Sequence, residues 1–233
     1  MNRVQEVRQR LARTKGRVLN GCYYRFVFGR SLPFSQQLVT RLQAWEREHG
    51  AGDTPLSQNV WQQQYEGGTW AFLNDLGELA RYSIIVGYLN QLKPRAAVLD
   101  IGCGEGILFS RYRPYGYTRY LGVDISAAAL VMLKQVEDAN TTFTCADAET
   151  YMPGERFDVI VFNESLYYFH APVEAVERYA GALEKQGIMI VSTFTGSARA
   201  RAILRTLKAR HSLVDETQVT HAALSWLCSV FSR

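Results

Sequence analysis

The chain has 233 residues, of which 47% are hydrophobic, 12% aromatic and 21% charged, a composition typical of one globular domain with or without an appendage. No stretch approaches the run of about 18 apolar residues that a membrane-spanning helix needs. Residues 1–15 carry scattered Arg and Glu rather than the apolar centre of a secretory signal. Because the cysteines share no ligand-like spacing, we expect buried free thiols and a reducing, cytoplasmic location; they are Cys22, Cys103, Cys145 and Cys228.

The formal net charge of +4 is concentrated near the start of the chain. Residues 1–30 hold eight Lys and Arg side chains against one acid, Glu6. An enzyme of nucleic acids more often carries basic charge across the body of its domain, so we expect no nucleic-acid partner. This basic arm is interpreted either as a solvated helix or as a segment in weak contact with an anionic membrane surface or an acidic partner.

The first part of the chain, up to about Leu92, has a helical pattern. Between Thr69 and Leu92, apolar residues recur three and four positions apart, which predicts one or two amphipathic helices. We therefore divide the chain into a basic helical arm at residues 1–55, a helical lid or cap at 56–94, and a core at 95–233.

From Ala96 onward, short apolar runs alternate with helical segments, which indicates a parallel sheet covered by helices on both faces. The helical segments are predicted at residues 106–112, 127–137, 172–184 and about 197–210. The last two runs, SLVDETQV and ALSWLCSVF, have only a short link and so predict an antiparallel pair. The expected fold is α/β and Rossmann-like: five βα units and a hairpin give a seven-strand, mostly parallel sheet with the last strand antiparallel, plus the N-terminal helical extension.

The most specific motif is VLDIGCGEGILF, residues 98–109. A predicted strand ends at Asp100, three glycines follow, and a helix then begins. Glycines permit a tight turn and a close approach of the backbone to a ligand, and a helix N-terminus points free N–H groups at the same place. The next predicted strand ends in Asp124, where an acid in such sheets reaches the hydroxyls of a ribose.

The motif differs from the dinucleotide fingerprint G-x-G-x-x-G, because Ile107 stands at the third glycine position. Glu105 also lies within the turn, where it would repel a pyrophosphate. A nucleoside cofactor without phosphates that carries an amino acid and a sulfonium tolerates such acids. The alternative is a merely structural glycine-rich turn.

Together, DIGCGEG, VDIS, CADA and FNESLYYF resemble the class I S-adenosylmethionine-dependent methyltransferases over about Trp61 to Phe231. The sequence is most similar to the small-molecule branch that includes nodulation-factor N-methyltransferases and enzymes of glycan or natural-product biosynthesis. The resemblance implies S-adenosyl-L-methionine as cofactor, S-adenosyl-L-homocysteine as product, and a small-molecule acceptor methylated on O or N.

The resemblance also implies roles for individual residues. The glycine turn lies against the methionine part of the cofactor, Asp124 holds the ribose, and the acid Asp147 contacts the adenine. The segment around Trp61 folds over the cofactor as a lid in resembling families, although the same aromatic residues suit a packing staple. The predicted cofactor-binding residues are Tyr65, Trp70, Asp100, Gly102, Gly104, Gly106, Asp124, Ile125, Asp147, Ala148 and Asn163, and no metal site is predicted.

Candidate catalytic residues lie in NESLYYFHAP, residues 163–172. Methyl transfer requires alignment of the nucleophile with the S–C bond and exclusion of water; a hydroxyl acceptor also needs a base. The ordinary pKa of histidine suits removal of a proton from the acceptor, so His170 is one candidate. Glu164 can stabilise a cationic amine or the sulfonium, and Tyr167 lies between these two residues in the sequence. Each also has an ordinary structural interpretation, as a loop histidine, a loop acid or a core tyrosine.

Two other functions remain open from the sequence. One is a methyltransferase acting on protein or nucleic acid, although Asn163-Glu164-Ser165-Leu166 differs from the Asn/Asp-Pro-Pro-aromatic ending of enzymes that methylate adenine or glutamine amides. The other is a non-catalytic cofactor-binding scaffold that docks through its basic arm. The intact glycine turn argues against the scaffold.

Overall fold

The computed structural model describes residues 55–222 and 224–233. The predicted basic arm therefore lies outside the described residues except for its last position. Within the described part of the chain, no helix is long and apolar enough to cross a membrane.

The described residues form six α-helices and seven strands. The helices are α1 Gln58–Glu66, α2 Leu76–Leu92, α3 Ile107–Tyr112, α4 Ala127–Leu130, α5 Pro172–Ala180 and α6 Ala198–Arg210. The strands are β1 Arg95–Ile101, β2 Tyr117–Asp124, β3 Thr141–Cys145, β4 Phe157–Asn163, β5 Leu183–Phe194, β6 Ser212–His221 and β7 Leu224–Ser232.

The strands form one sheet in the order β3-β2-β1-β4-β5-β7-β6. Strands β1 to β5 pair in parallel, whereas β7 is antiparallel to both β5 and β6. The predicted seven-strand, mostly parallel α/β fold with its last strand antiparallel is confirmed. The chain crosses from β3 to β4 at the centre of the sheet, so the switch point where open α/β sheets bind ligands lies between β1 and β4.

Side chains of alternate strand residues pack into two cores, one on each face of the sheet. Phe162 of β4 packs on one face with Tyr179 of α5 and Ile203 of α6. Val161, its neighbour in β4, faces the other core with Ile85 of α2. The central strands are thus covered on both faces, which explains their nearly continuous apolar sequences.

Three expectations about the helices were wrong in detail. The connection from β3 to β4 contains turns rather than a helix, so the sheet has four helical crossovers instead of five βα units; Pro153-Gly154 is a helix-breaking pair within it. The helix predicted at residues 172–184 ends at Ala180, because Gly181 follows and β5 already begins at Leu183. The helix predicted at 127–137 divides into α4 and a short 3₁₀ helix, Leu133–Val136.

The described cysteines are free thiols. Cys103 and Cys228 are buried as expected, but Cys145 is exposed because it ends β3, the edge strand of the sheet. Cys22 lies outside the described residues.

Gly122 in β2 provides a test of the packing. A Cβ there would lie 2.6 Å from Phe143 Cδ1 and 2.9 Å from Cys103 Sγ. We expect Gly122→Ala to lower the free energy of unfolding by about 1–3 kcal/mol through overpacking, measured by chemical denaturation. Gly87→Ala is the matched control, since Gly87 is an exposed residue of α2 and nothing lies within 4 Å of its Cβ position. It should raise stability by about 0.4–1 kcal/mol; equal effects of both changes would contradict this packing.

Candidate active site

A cavity of about 410 Å³ lies at the carboxyl ends of the central strands, within the size range of small-molecule sites. Asp100, Asp124 and Asn163, at or next to the ends of β1, β2 and β4, contribute to its wall. Helix α1 and the start of α2 form the opposite side. All of the predicted site residues line the cavity except Gly106.

The three glycines of the turn have left-handed backbones, with φ of 76° at Gly102, 54° at Gly104 and 73° at Gly106. A Cβ at Gly102 would lie 2.7 Å from Ser165 Cβ, and one at Gly104 would lie 2.8 Å from Tyr65 Oη. These positions therefore require glycine both for conformation and for space. Gly106 instead packs beneath Leu133 and caps the N-terminus of α3, so the structure separates it from the cavity.

The Asp124 carboxylate ties the glycine turn to the end of β2. It accepts hydrogen bonds from the backbone N–H of Gly104 at 2.8 Å and of Ser126 at 2.9 Å, one on each oxygen. Burial raises the pKa of Asp124, while these N–H groups act in the opposite direction. A carboxylate has about four lone-pair sites, so Asp124 retains capacity for further donors.

Asp100 lies deeper in the cavity wall, with 1% of its surface exposed. Its Oδ2 accepts from the Tyr120 hydroxyl at 2.7 Å, while Oδ1 has no hydrogen-bond partner among the described residues. Burial raises the pKa of Asp100 to about 7, and the nearby Asp124 adds to the effect. A cation in the cavity would therefore be attracted by a carboxylate that the protein leaves partly unsatisfied.

Helix α1 is fastened over the end of β2 by two glutamines that the sequence analysis did not identify. Gln58 Nε2 donates to the Ile125 carbonyl at 3.0 Å. Gln62 Oε1 accepts from the Ala128 N–H at 3.0 Å and from Ser126 Oγ at 3.2 Å. Their spacing of four, which places both on one helix face, is the signal that the sequence offered.

Aromatic side chains close the cavity on the α1 side. Trp61 stacks on Trp70 with ring centroids 5.4 Å apart and meets Tyr168 edge-on at 4.9 Å. Tyr65 extends to the glycine turn, and burial, followed by the charge of Asp124, raises the pKa of its phenol. The aromatic segment is thus both a wall of the cavity and a packing contact with the loop after β4.

Beyond β4, the cavity wall contains a network of charged and polar side chains. Glu164 accepts from Ser192 Oγ at 2.7 Å and from the Tyr167 hydroxyl at 2.8 Å. Arg81 donates to Asn163 Oδ1 and forms an ion pair with Glu78 at 2.6 Å. Residues Glu78 and Arg81 of α2 were missed, and their spacing of three within an apolar helix was the available signal.

Glu164 has a left-handed backbone, with φ of 58°, which is unusual for a residue with a side chain and is concentrated at functional sites. The half-buried side chain is held between Ser192 and Tyr167. Burial raises the pKa of Glu164, and the charge of Arg81 opposes that rise.

His170 lies at a different part of the cavity, next to the loop after β3. Its side chain is 68% exposed, and Nδ1 lies 2.6 Å from Glu149 Oε2. Asp147 Oδ1 in the same loop accepts from the Glu149 N–H at 2.8 Å. The Ala148 carbonyl accepts from the Tyr179 hydroxyl at 2.8 Å, which fixes this loop on α5.

Within the described part of the chain, no group of three or more His, Cys, Asp or Glu side chains is arranged to hold a metal ion. Among the described residues, the titratable side chains that line the cavity include carboxylates, phenols, one guanidinium and one imidazole.

This sheet order, with a glycine-turn cavity at its switch point, defines the class I S-adenosylmethionine-dependent methyltransferase fold. The N-methyltransferase NodS from Bradyrhizobium japonicum, in complex with S-adenosyl-L-homocysteine, is similar with a TM-score of 0.63 and 18% identity, over 73% of this chain and 96% of that one. The 1,6-didemethyltoxoflavin-N1-methyltransferase of Burkholderia thailandensis has a TM-score of 0.63 and 21% identity, over 75% and 85%.

A model of the methyltransferase-domain family matches residues 76–231, and the chain belongs to that family. Among curated proteins, the malonyl-acyl-carrier protein O-methyltransferase of Anoxybacillus flavithermus is 31% identical over 103 residues, which are 43% of this chain and 40% of that protein. The chain spans less than half the length of such curated relatives.

The buried Asp100 gives a pH-dependent prediction for the protein without ligand. An acid whose pKa is higher in the folded than in the unfolded state stabilises the fold less as the pH rises between those two values. The pKa of an aspartate is about 4 in an unfolded chain, and that of Asp100 is about 7 in the folded protein. We expect Asp100→Asn, which keeps an acceptor for Tyr120, to gain stability relative to wild type from pH 4 to pH 8, by up to about 4 kcal/mol.

Urea unfolding across this pH range measures the difference. The control is Glu105→Gln, an exposed acid of the same turn, which should keep the wild-type pH dependence. Parallel stability curves for Asp100→Asn and wild type would contradict the assignment.

Proposed function

We propose that the chain is an S-adenosylmethionine-dependent methyltransferase that transfers a methyl group to an O or N atom of a small molecule. The observation that carries the proposal is one continuous cavity, which extends from the glycine turn and Asp124 across the switch point to Glu164. One end suits a nucleoside with a cationic side chain, and the other presents side chains that can hold an acceptor.

The residues present fit the proposed cofactor. Gly102 and Gly104 keep the wall next to β1 free of side chains, and Asp124 retains lone pairs for ribose hydroxyls. The Asp100 carboxylate, whose Oδ1 has no hydrogen-bond partner among the described residues, would attract the cationic amino and sulfonium groups of the cofactor. Acidic walls favour such a cofactor over a dinucleotide, whose pyrophosphate they would repel.

The site residues are proposed to act in three groups. Ile125, Asp147 and Ala148 border the adenine at the β2 and β3 end of the cavity. Tyr65 and Trp70 cover the methionine end, where aromatic faces favour a sulfonium. Asn163 lies at the methyl-transfer point on β4.

When bound, the cofactor supplies a methyl group activated by positive sulfur. The chain's own contribution is to align the acceptor and to exclude water. Helix α1 and the Trp61–Trp70 pair cover the cavity, and Tyr167 and Ser192 fix the orientation of the Glu164 carboxylate. Glu164 can accept a proton or a hydrogen bond from the acceptor.

His170 remains a candidate for proton transfer, but its exposed ring is engaged by Glu149. Of the three predicted catalytic residues, Glu164 and Tyr167 therefore have the better position for contact with an acceptor. The segment from residue 56 to residue 94 is proposed as the lid, on the evidence of the glutamine contacts from α1 to the end of β2.

A labelling experiment tests the function directly. Purified chain is incubated with methyl-labelled S-adenosylmethionine and pooled small-molecule extracts, and labelled products are identified by mass. A labelled small molecule is expected; label found only in protein or nucleic acid, or no transfer at all, would contradict the proposal.

The role of Asp124 is tested with a pair of ligands. By calorimetry, removal of one ribose hydroxyl from S-adenosylhomocysteine should cost wild type about 1–3 kcal/mol of binding free energy, the range for stranding a buried polar partner. In Asp124→Ala, removal of the hydroxyl should cost little further binding free energy. Both ligands should bind this variant more weakly, because the carboxylate no longer holds the glycine turn.

Asp215→Ala, on the edge strand β6 and remote from the cavity, is the matched control and should behave as wild type. If removal of the hydroxyl costs the same binding free energy in wild type, Asp124→Ala and Asp215→Ala, Asp124 does not hold the ribose.

A further inference from the structure

The wall of the cavity as a whole is largely acidic among its charged side chains. Among the described residues that line the whole cavity, seven are carboxylic acids and Arg81 is the one Lys or Arg. The acids are Glu78, Asp100, Glu105, Asp124, Asp147, Glu149 and Glu164. A cavity lined largely by one sign of charge concentrates ligands of the opposite sign and rejects those of the same sign.

Arg81 does not offset this field for a ligand, because the protein itself uses the guanidinium. Its side chain is 1% exposed, it is paired with Glu78, and it donates to Asn163 Oδ1. An anionic acceptor would thus meet an arginine that is already neutralised and almost fully covered. Two carboxylates against one guanidinium leave this side of the cavity with one net negative charge.

Glu164 is the member of this network that a ligand can reach. It is half-buried rather than buried, and its neighbours Ser192 and Tyr167 each supply one donor. Each carboxylate oxygen therefore keeps a free lone pair. The Asn163 side-chain carbonyl is engaged by Arg81 and Ser192, which fixes the orientation of the amide next to it.

Besides this polar network, the cavity wall contains apolar and aromatic side chains. Phe194 at the end of β5 and Trp226 of β7 line the cavity on this side, and Phe72 and Leu224 lie half exposed at its rim. A cationic head on an apolar body complements such a site, since aromatic faces attract cations and the carboxylate pairs with them.

We propose that the acceptor is an amine on an apolar skeleton, bound with its nitrogen at the Glu164 carboxylate. This inference rests on the proposed function and names its substrate class. Arg81 is then a positioning residue, which holds Asn163 and the end of β4 but does not contact the acceptor.

The chemistry balances with these groups. A bound ammonium gives one proton to Glu164, which frees the nitrogen lone pair; burial raises the pKa of Glu164 and so reduces the cost of this transfer. The lone pair then forms the N–C bond as the C–S bond breaks, and the electrons of that bond stay on sulfur. The positive charge moves from sulfur to nitrogen, and the proton on Glu164 leaves to solvent.

Three probes that share one skeleton test the proposal: 2-phenylethylamine, 2-phenylethanol and 3-phenylpropanoate. Their dissociation constants are measured by calorimetry on the full chain saturated with S-adenosylhomocysteine, so that no turnover is needed. We expect the amine to bind at least about tenfold more tightly than the alcohol, and the carboxylate to bind most weakly.

Two variants test whether Glu164 causes the preference for the amine over the alcohol. Glu164→Gln should reduce the advantage of the amine over the alcohol by about tenfold and leave the alcohol unchanged. Asp215→Asn removes the same charge from the edge strand β6, outside the cavity, and it should retain the preference.

Equal affinities of the amine and alcohol, tighter binding of the carboxylate, or no binding of any probe would overturn the inference. So would an amine preference that survives in Glu164→Gln. If S-adenosylhomocysteine itself does not bind, the proposed function fails; if it binds and the amine preference is absent, the inference alone fails. The wild-type comparison needs no variant and so does not depend on how Glu164→Gln folds.

Discussion

The bond on which the site depends is that between the Asp124 carboxylate and the backbone N–H of Gly104. A turn with three left-handed glycines has a large conformational entropy in the unfolded chain and little side-chain packing of its own. Asp124 holds this turn against the end of β2, and its second oxygen fixes Ser126, which caps α4. One side chain thus sets the relative positions of the first two strand ends.

A second group of side chains sets the relative positions of the strand ends on the other side of the switch point. Arg81 connects α2 to β4 through Asn163, and Ser192 connects β4 to β5 through Asn163 and Glu164. Buried ion pairs contribute little net stability, because desolvation offsets their attraction. The cost of burying these charges is better explained by the orientation that they impose on the end of β4 than by any gain in folding energy.

The sequence predicted the parts of the structure that local pattern determines. Continuous apolar runs located the strands, and the glycines with Asp100 and Asp124 located one wall of the cavity. The count of five βα units was wrong, because the connection from β3 to β4, which contains Pro153-Gly154, holds turns rather than a helix. The contact between Arg81 and Asn163 spans 82 positions in the chain. No periodicity reveals such a pairing, and the apolar stripe of α2 made the helix look like a packing element alone.

In the proposed site, both halves of the cavity use carboxylates in the same low-dielectric space to attract a cationic ligand. The carboxylates beneath the glycine turn suit a cationic cofactor only while water is excluded, because solvent would screen their attraction. In the proposed site, the glutamine contacts of α1 and the stacked Trp61 and Trp70 would provide that exclusion, and Tyr168 joins this cover to the loop after β4. The cover therefore rests on both the cofactor side and the acceptor side, so an acceptor that displaces the Tyr168 loop would also loosen the contacts that keep the cofactor dry. An acceptor that leaves the Tyr168 loop in place would instead keep the cover closed, so that binding of the cofactor and binding of the acceptor would favour each other.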